Sequence, residues 1–496
     1  MKKICFVTTT LPLIHGGRTK SLLQRAKLLN QNGIELTIVS TNYNPNYNFV
    51  YKSFKTDNKV LDNTYFCNIY DYYKEKSEKK EEKITWDKLL EKEKRDLSNL
   101  TQVYRSRKGG RTYYYSEGVP KYLIKRNEHE QIEFLAIYND CMFSPQQYYF
   151  INHKGIVHRI DYLNYDNTLK YQEFLNNQGD VYLRREFNNK KISNIYLKKD
   201  SSDIEFLTEK DFISYFFSDI FSMDNIVICD ARYLDLPLLK TPVKKRIFQL
   251  HSSHLLNPRD EASGVKKSFS NILNSKISAD NVIVTLTDKQ KSDIINIIPE
   301  LEKNIVIIPH SSNLKQIKYT KEKKHFGTLS RLSPEKKLED VIEAFYYFNK
   351  EVSGYFLDIY GDGECRDRLE SLTNKLNISD RVIFHGNIKD TDKAYQKMGV
   401  LLITSEFEGF SLAALESISN GTSVITYDIN YGPTEIIDKK SGWITDSRSP
   451  LALKEKMIEY TKFPKKSEDI QQRSLNYSEA KFVSKWLSII REDYND

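Results

Sequence analysis

A chain of 496 residues with 39% hydrophobic and 29% charged residues is too long for one hydrophobic core and too ordinary in composition for a disordered or fibrous protein. Its length predicts about two or three domains. The formal net charge of +8 is spread along the whole chain, which biases it mildly toward anionic partners such as phosphates or acidic polymers and argues against nucleic-acid binding.

The first seventeen residues, MKKICFVTTTLPLIHGG, hold two lysines and a short apolar run. Threonines and a proline break that run and no small-residue cleavage site follows, so residues 3–9 read as a buried strand and not as a leader. A loop at Gly16-Gly17, an apolar-periodic helix over 19–30, Gly33 and a strand over 35–40 complete one β-α-β unit, which requires a parallel sheet. From about 45 to 215 the texture changes. The charged stretch from Lys74 to Leu97 predicts a solvated helix. Alternating runs around Gly155 and Asn188-Asn189 carry hairpin signals and predict a mainly antiparallel insertion.

Strand-like runs then resume at 225–230, 246–251, 281–287 and 304–310. From Lys324 a second series of short apolar strands and amphipathic helices predicts a second doubly wound α/β domain. An amphipathic segment around Phe482 and Trp486 closes the chain. No apolar stretch reaches membrane-spanning length. Cys5, Cys67, Cys141, Cys229 and Cys365 are dispersed with no Cys-x-x-Cys pair, which fits reduced thiols in a cytosol.

The stretch EGFSLAALE, from Glu408 to Glu416, is the most informative. It joins the strand-like VLLITS (400–405) to an apolar helix, the layout of a ligand site at the carboxyl edge of a parallel sheet. A carboxylate there is favoured by the helix dipole and accepts hydrogen bonds from hydroxyls, of which a sugar or ribose has several. The plainer reading is a capping Glu and an exposed helical Glu. Gly409, Phe410 and Ser411 belong to the same turn.

Other motifs are weaker singly. Gly16-Gly17 lets backbone approach a phosphate at a helix start, or is an ordinary βα turn. LSRLSPEKKLEDVIEAF sets Arg331 and Lys336 five residues apart, with Pro334 suited to a helix's first turn; two cations there would clamp a diphosphate, while surface charge is the common alternative. Gly361 and Gly363 in IYGDGE mark close backbone approach or a tight turn. His385, Gly386 and Asn387 in FHGN end the next strand, where backbone groups could read a flat base. His251 and His254 follow the strand RIFQLH; a strand-end histidine can bond a sugar hydroxyl or a reacting phosphate, or be a satisfied core residue. Their H-x-x-H spacing brings no further metal ligands with it. Gly432-Pro433, in YDINYGPTEII, forms a further candidate wall loop.

Together these motifs, in this order and spacing, resemble the family-4 retaining glycosyltransferases of the GT-B fold, over residues 1–45 and about 225–490. The resemblance implies two Rossmann-like doubly wound domains with a β-rich insertion in the first: residues 1–45 and 216–316 as the N-terminal acceptor-side domain, 46–215 as the insertion serving acceptor binding or oligomerisation, 317–480 as the nucleotide-sugar domain, and 481–496 as a helix crossing back. It implies that Arg331 and Lys336 hold the diphosphate, Glu408 meets the donor sugar, Glu416 the ribose, and that Gly16 and Gly17 sit at phosphate or sugar. His251 or His254 would lie near the reacting centre. No cofactor and no metal ion are expected beyond the UDP-sugar substrate.

The insertion resembles that of bacterial enzymes that glycosylate cell-surface polymers from the cytosol. The motif stretches look more like the set that attaches N-acetylglucosamine to Ser-rich or Ser-Asp-repeat adhesins. The neighbouring set, which modifies poly(ribitol or glycerol phosphate) teichoic acid, is the alternative acceptor class. Both acceptors are extended, and a basic, Tyr-rich insertion suits either, although most of its tyrosines are expected to pack between strands. A cytoplasmic location, at the inner membrane face with peripheral contact, and a homo-oligomer are compatible with this reading. A non-catalytic acceptor-binding partner subunit is the alternative of another class; loss of the cation clamp or of the paired Glu would be expected of it, and all are present. A phosphorylase would need a pyridoxal-phosphate lysine, and no lysine is singled out.

Overall fold

The structure, a computed structural model, describes all residues except 15, 80–81, 106–109, 140–143, 200–201, 275, 277–279, 319–321 and 492–496. The chain separates into two compact units. One comprises residues 1–13, 36–225 and 236–244; the other comprises 14–35, 226–235 and 245–496.

In the first unit the strands Ile4–Thr8, Leu36–Ser40 and Tyr65–Asn68 pair in parallel in that order. Every residue of the first two is buried, as continuous apolar runs in a parallel sheet should be. The rest of this unit is dominated by a ten-stranded antiparallel sheet in which each strand pairs with the next, from Thr101–Arg105 to Ile204–Phe206. The expected hairpin at Asn188-Asn189 turns through Asn189 and Lys190, both left-handed (φ 46° and 63°), the backbone of a two-residue hairpin loop.

The charged stretch is not one helix. It forms the end of Ile69–Ser77 and a separate helix, Trp86–Lys92. Between them Ile84 N–H donates to the Asn177 carbonyl and Trp86 N–H to that of Gly155, tying extended backbone to turns of the sheet. Leu89 and Leu90 then bury against Tyr114, Ile124, Leu135 and Tyr149. Burial of two leucines thus overrode the charge pattern. Cys141, and with it any pairing of that thiol, lies outside the described residues; Cys5, Cys67, Cys229 and Cys365 are free thiols.

In the second unit four parallel strands lie in the order Ile305–Ile307, Asn281–Thr285, Lys245–Gln249, Ile226–Cys229. A six-stranded parallel sheet has the order Val382–Gly386, Phe356–Tyr360, Glu322–Leu329, Met398–Ile403, Ser423–Thr426, Gly442–Ile444. Numbered along the chain this is 3-2-1-4-5-6, the dinucleotide-fold order, whose ligands bind where the order reverses, outside the carboxyl ends of strands 1 and 4. Those ends are Leu329 and Ile403. The helices Leu338–Glu351 and Leu412–Ser419 cover this sheet, burying Phe345 and Leu415 with Phe326, Leu357, Val400 and Val424.

Pro334 does not open the Leu338 helix. It begins a separate short turn, Pro334–Lys336, because Lys337 adopts a left-handed conformation (φ 50°) between the two. The C-terminal helix Glu479–Arg491 buries Phe482 and Trp486, and the Arg25 guanidinium lies 4.7 Å from the Trp486 ring centre. Among the described residues, no helix is long and apolar enough to cross a membrane.

Candidate active site

Both ends of the switch point, Leu329 and Ile403, open onto a cavity of about 480 Å3 formed wholly by the second unit. The helix Gly17–Gln31 points its N-terminus into it, with Gly16 as an extended N-cap that makes no side-chain cap. A Cβ on Gly16 would meet no atom within 4 Å, whereas one on Gly17 would lie 3.3 Å from Leu412 Cδ1. Gly17 is therefore small to let two helix starts approach, and Gly16 faces open space. Uncapped amide N–H groups at a helix start are a ready anion site.

Opposite lie the strand-end loops. Lys336 donates from Nζ to Glu408 Oε1 at 2.7 Å, and the same oxygen accepts from Ser405 Oγ at 2.7 Å. The Lys336 loop is held from below by Thr404 Oγ1, which donates to the carbonyls of Lys336 and Lys337. Arg331 lines the same cavity with its side chain 75% exposed, and its guanidinium meets Glu335 at 3.1 Å. Glu416, on the Leu412–Ser419 helix, is paired with Lys20, one turn into the Gly17–Gln31 helix.

His251 is mostly buried at the cavity wall. Its Nε2 lies 2.6 Å from Asp230 Oδ1, and Asp230 Oδ2 accepts from Arg25. Burial opposes the charge on Asp230, but Arg25 and the His251 hydrogen bond outweigh it and hold the carboxyl at about 2. Burial lowers His251, with Asp230 only partly offsetting it, and drives His310 well below its ordinary value. His310 stacks on His251 with ring centres 5.8 Å apart and meets Phe410 edge-on. The wall thus presents neutral imidazole.

Of the residues expected at the donor site, Gly16, Gly17, Arg331, Lys336, Gly361, Asn387, Glu408, Gly409, Phe410, Ser411, Glu416 and His251 line this one cavity. Gly363, His385, Gly386 and His254 do not. His254 is fully buried, stacks on Tyr431, and has no hydrogen bond to either ring nitrogen; burial lowers it to about 4. His385 bonds Asp358 at 2.7 Å and stacks on Tyr360, whose ring lines the cavity.

The glycines of IYGDGE are required by neighbouring backbone. A Cβ on Gly361 would fall 1.8 Å from the Ser330 carbonyl oxygen, and one on Gly363 2.4 Å from that of Leu332. They press the loop that carries Arg331 and Lys336 into place. Gly409 does the same for His251, whose carbonyl oxygen would be 2.1 Å from an added Cβ. Gly432 packs against the Phe410 carbonyl, and the Gly432-Pro433 turn is not part of the cavity wall.

The sequence reading missed Lys20, His310, Ser405 and the Arg25–Asp230 pair. Lys20 carried a signal, since it lies three residues after Gly17 on the same helix face. Asp230, His310 and Ser405 each end a strand-like run, which was their only signal, and Arg25 carried none. Among the described residues no group of three or more His, Cys, Asp or Glu could hold a metal ion.

Residues 311–476 match the family model of glycosyl transferases group 1. End to end, the chain is 26% identical over 506 residues to the poly(ribitol-phosphate) alpha-N-acetylglucosaminyltransferase of Staphylococcus aureus strain COL, covering 99% of each. It is 28% identical over 356 residues to the UDP-N-acetylglucosamine–peptide N-acetylglucosaminyltransferase GtfA subunit of Streptococcus parasanguinis, covering 68% of this chain and 67% of that one. A crystal structure of an S. aureus TarM mutant in complex with Fondaparinux, alpha-GlcNAc-glycerol and UDP superposes with a TM-score of 0.87 at 24% identity over 99% of each chain.

Proposed function

We propose that this chain, a glycosyltransferase with a group 1 domain on the GT-B fold, moves N-acetylglucosamine from UDP-GlcNAc to hydroxyls of a poly(ribitol-phosphate) polymer. The donor half of the reading rests on one juxtaposition. Lys336, Arg331 and the uncapped start of the Gly17–Gln31 helix face the same cavity, three sources of positive potential for a diphosphate. The acceptor half is supported by likeness over 99% of both chains to an enzyme of that specificity.

In this reading the diphosphate lies against the helix start. Lys336 and Arg331 offset the charge that grows on UDP as the sugar C1–O bond breaks. Glu408 bonds hydroxyls of the donor sugar and Glu416 those of the ribose, each exchanging part of its lysine contact for them. His251 accepts a hydrogen bond from a hydroxyl near the reacting carbon. The sugar is α-linked in UDP-GlcNAc, so an α-linked product means net retention at that carbon. The residues 46–215 insertion serves the acceptor.

A second acceptor, serine hydroxyls of Ser-rich or Ser-Asp-repeat surface proteins, is favoured by the 28% likeness to the peptide N-acetylglucosaminyltransferase subunit. A non-catalytic partner subunit is disfavoured by the intact Lys336–Glu408 pair. The test is a matrix of radiolabelled UDP-GlcNAc and UDP-glucose against poly(ribitol-phosphate), poly(glycerol-phosphate), a Ser-Asp-repeat peptide and a Ser-rich fragment, with and without chelator. Label from UDP-GlcNAc in poly(ribitol-phosphate) alone is the expected result. Label only in the peptides moves the acceptor assignment to the second reading, and none anywhere overturns both.

A further inference from the structure

We infer that Arg25 and Asp230 are positioning residues that hold His251 with its proton on Nε2, so that Nδ1 is left to accept a hydrogen bond from a substrate hydroxyl; this rests on the glycosyl-transfer reading above. Arg25, in the Gly17–Gln31 helix, donates to Asp230 Oδ2 and to Gln249 Oε1. Asp230 and Gln249 sit at the carboxyl ends of the adjacent strands Ile226–Cys229 and Lys245–Gln249. The Arg25 and Asp230 side chains are 2% and 0% exposed, and Trp486 of the C-terminal helix caps the guanidinium. A buried pair this enclosed has little freedom to re-aim.

The polarity follows from the chemistry of the carboxylate. With one oxygen on Arg25, Asp230 is ionised and can only accept, so the hydrogen in the 2.6 Å contact belongs to His251 Nε2. The groups facing the imidazole are Asp230, Arg25, Arg232 and the stacked His310. Burial disfavours a charged ring, Asp230 offsets this only in part, and Arg25 and Arg232 add to it, so the ring is neutral. Nδ1 therefore carries a lone pair, and it makes no hydrogen bond among the described residues. A neutral ring with Nδ1 bare accepts from an O–H; the other tautomer could not. An apolar pair would pack there at less desolvation cost, so the buried Arg–Asp pair is consistent with a role in holding the histidine.

The test has two arms. In the first, the full chain labelled with 15N-histidine is read for ring tautomer, His251→Gln assigning the signal among nine histidines. The Nε2-protonated neutral tautomer between pH 6 and 8 is expected, and an Nδ1-protonated ring overturns the proposal. In the second, UDP-GlcNAc turnover and UDP affinity are measured for two variants. Asp230→Asn is expected to lower kcat about 100-fold while UDP affinity stays within about twofold, because a positioned imidazole contributes on that scale and Asp230 does not line the cavity. The acid limb of kcat/KM should move to lower pH in Asp230→Asn, which removes an anion, and to higher pH in Arg25→Gln, which removes a cation. Opposed shifts are not produced by general loosening. Unmoved limbs, or normal kcat in Asp230→Asn, overturn the assignment. If the unaltered chain does not turn over UDP-GlcNAc the donor reading fails, and the tautomer arm, which needs no donor and no active variant, still decides this one.

Discussion

Lys336 Nζ lies 2.7 Å from Glu408 Oε1, and only 16% and 17% of the two side chains is exposed. A partly shielded lysine aimed into a cavity needs a counter-charge before an anionic ligand arrives, and Glu408 supplies it. Removing either partner leaves the other under-compensated. Lys336→Ala is expected to cut transfer from UDP-GlcNAc by about 100- to 1,000-fold, the scale of losing one group that stabilises developing charge. Glu408→Gln keeps the shape and should also lose most turnover, with an unchanged circular-dichroism spectrum. Near-normal turnover in either removes that residue from the site.

Gly16 and Gly361 separate ligand approach from packing. Gly361 has φ 127°, and a Cβ added there would fall 1.8 Å from the Ser330 carbonyl oxygen, so Gly361→Ala should destabilise by about 2–4 kcal/mol and lower the unfolding midpoint. Gly16 has an ordinary φ of −86° and no atom within 4 Å of an added Cβ. Gly16→Ala should leave the unfolding free energy within about 0.5 kcal/mol and weaken UDP binding at least about tenfold, if a phosphate occupies that space. Unaltered UDP affinity would move the phosphate elsewhere.

The Lys20–Glu416 pair sits at the mouth of the same cavity, with Lys20 about half exposed. Solvent screens such a pair, so Lys20→Met should change stability by no more than about 0.5 kcal/mol. Glu416→Gln is expected to raise the KM for UDP-GlcNAc several-fold with a smaller change in kcat, because ribose contacts act on binding in ground and transition states alike. Equal loss in kcat alone would place Glu416 at the reacting sugar instead.

Acid should weaken the fold through its buried histidines. Burial lowers His254 from 6.5 to about 4 and His158 to about 3, with His251 and His310 lowered as well. In each case the unfolded chain takes up a proton near 6.5 and the folded chain only at lower pH. The histidine contribution to stability therefore falls as pH drops below 6.5, and the His254 share is complete near pH 4. His254→Phe removes that share, keeps a ring against Tyr431, and should raise the unfolding midpoint more at pH 5 than at pH 7.5. Equal shifts at both pH values would show that His254 titrates normally in the fold.

Much of the architecture was legible because strands, turns and helix starts are local. The apolar runs 400–405 and 246–251 announced parallel strands, Asn188-Asn189 announced a hairpin, and the loops after Leu329 and Ile403 announced a switch-point site. The charged stretch at Lys74 pointed to the wrong element because its two leucines bury against a sheet that local charge does not report. Residue chemistry likewise named Glu408, Glu416, Arg331 and Lys336. What only tertiary structure decided is which groups meet. Lys336 finds Glu408 across 72 residues, Arg25 finds Asp230 across 205, and Lys20 finds Glu416 across 396. It also decided why Gly361 and Gly363 have no side chain, since the carbonyls they press against come from another strand's loop. Such partners are set by how sheets and helices stack, a through-space property that no short window of sequence contains.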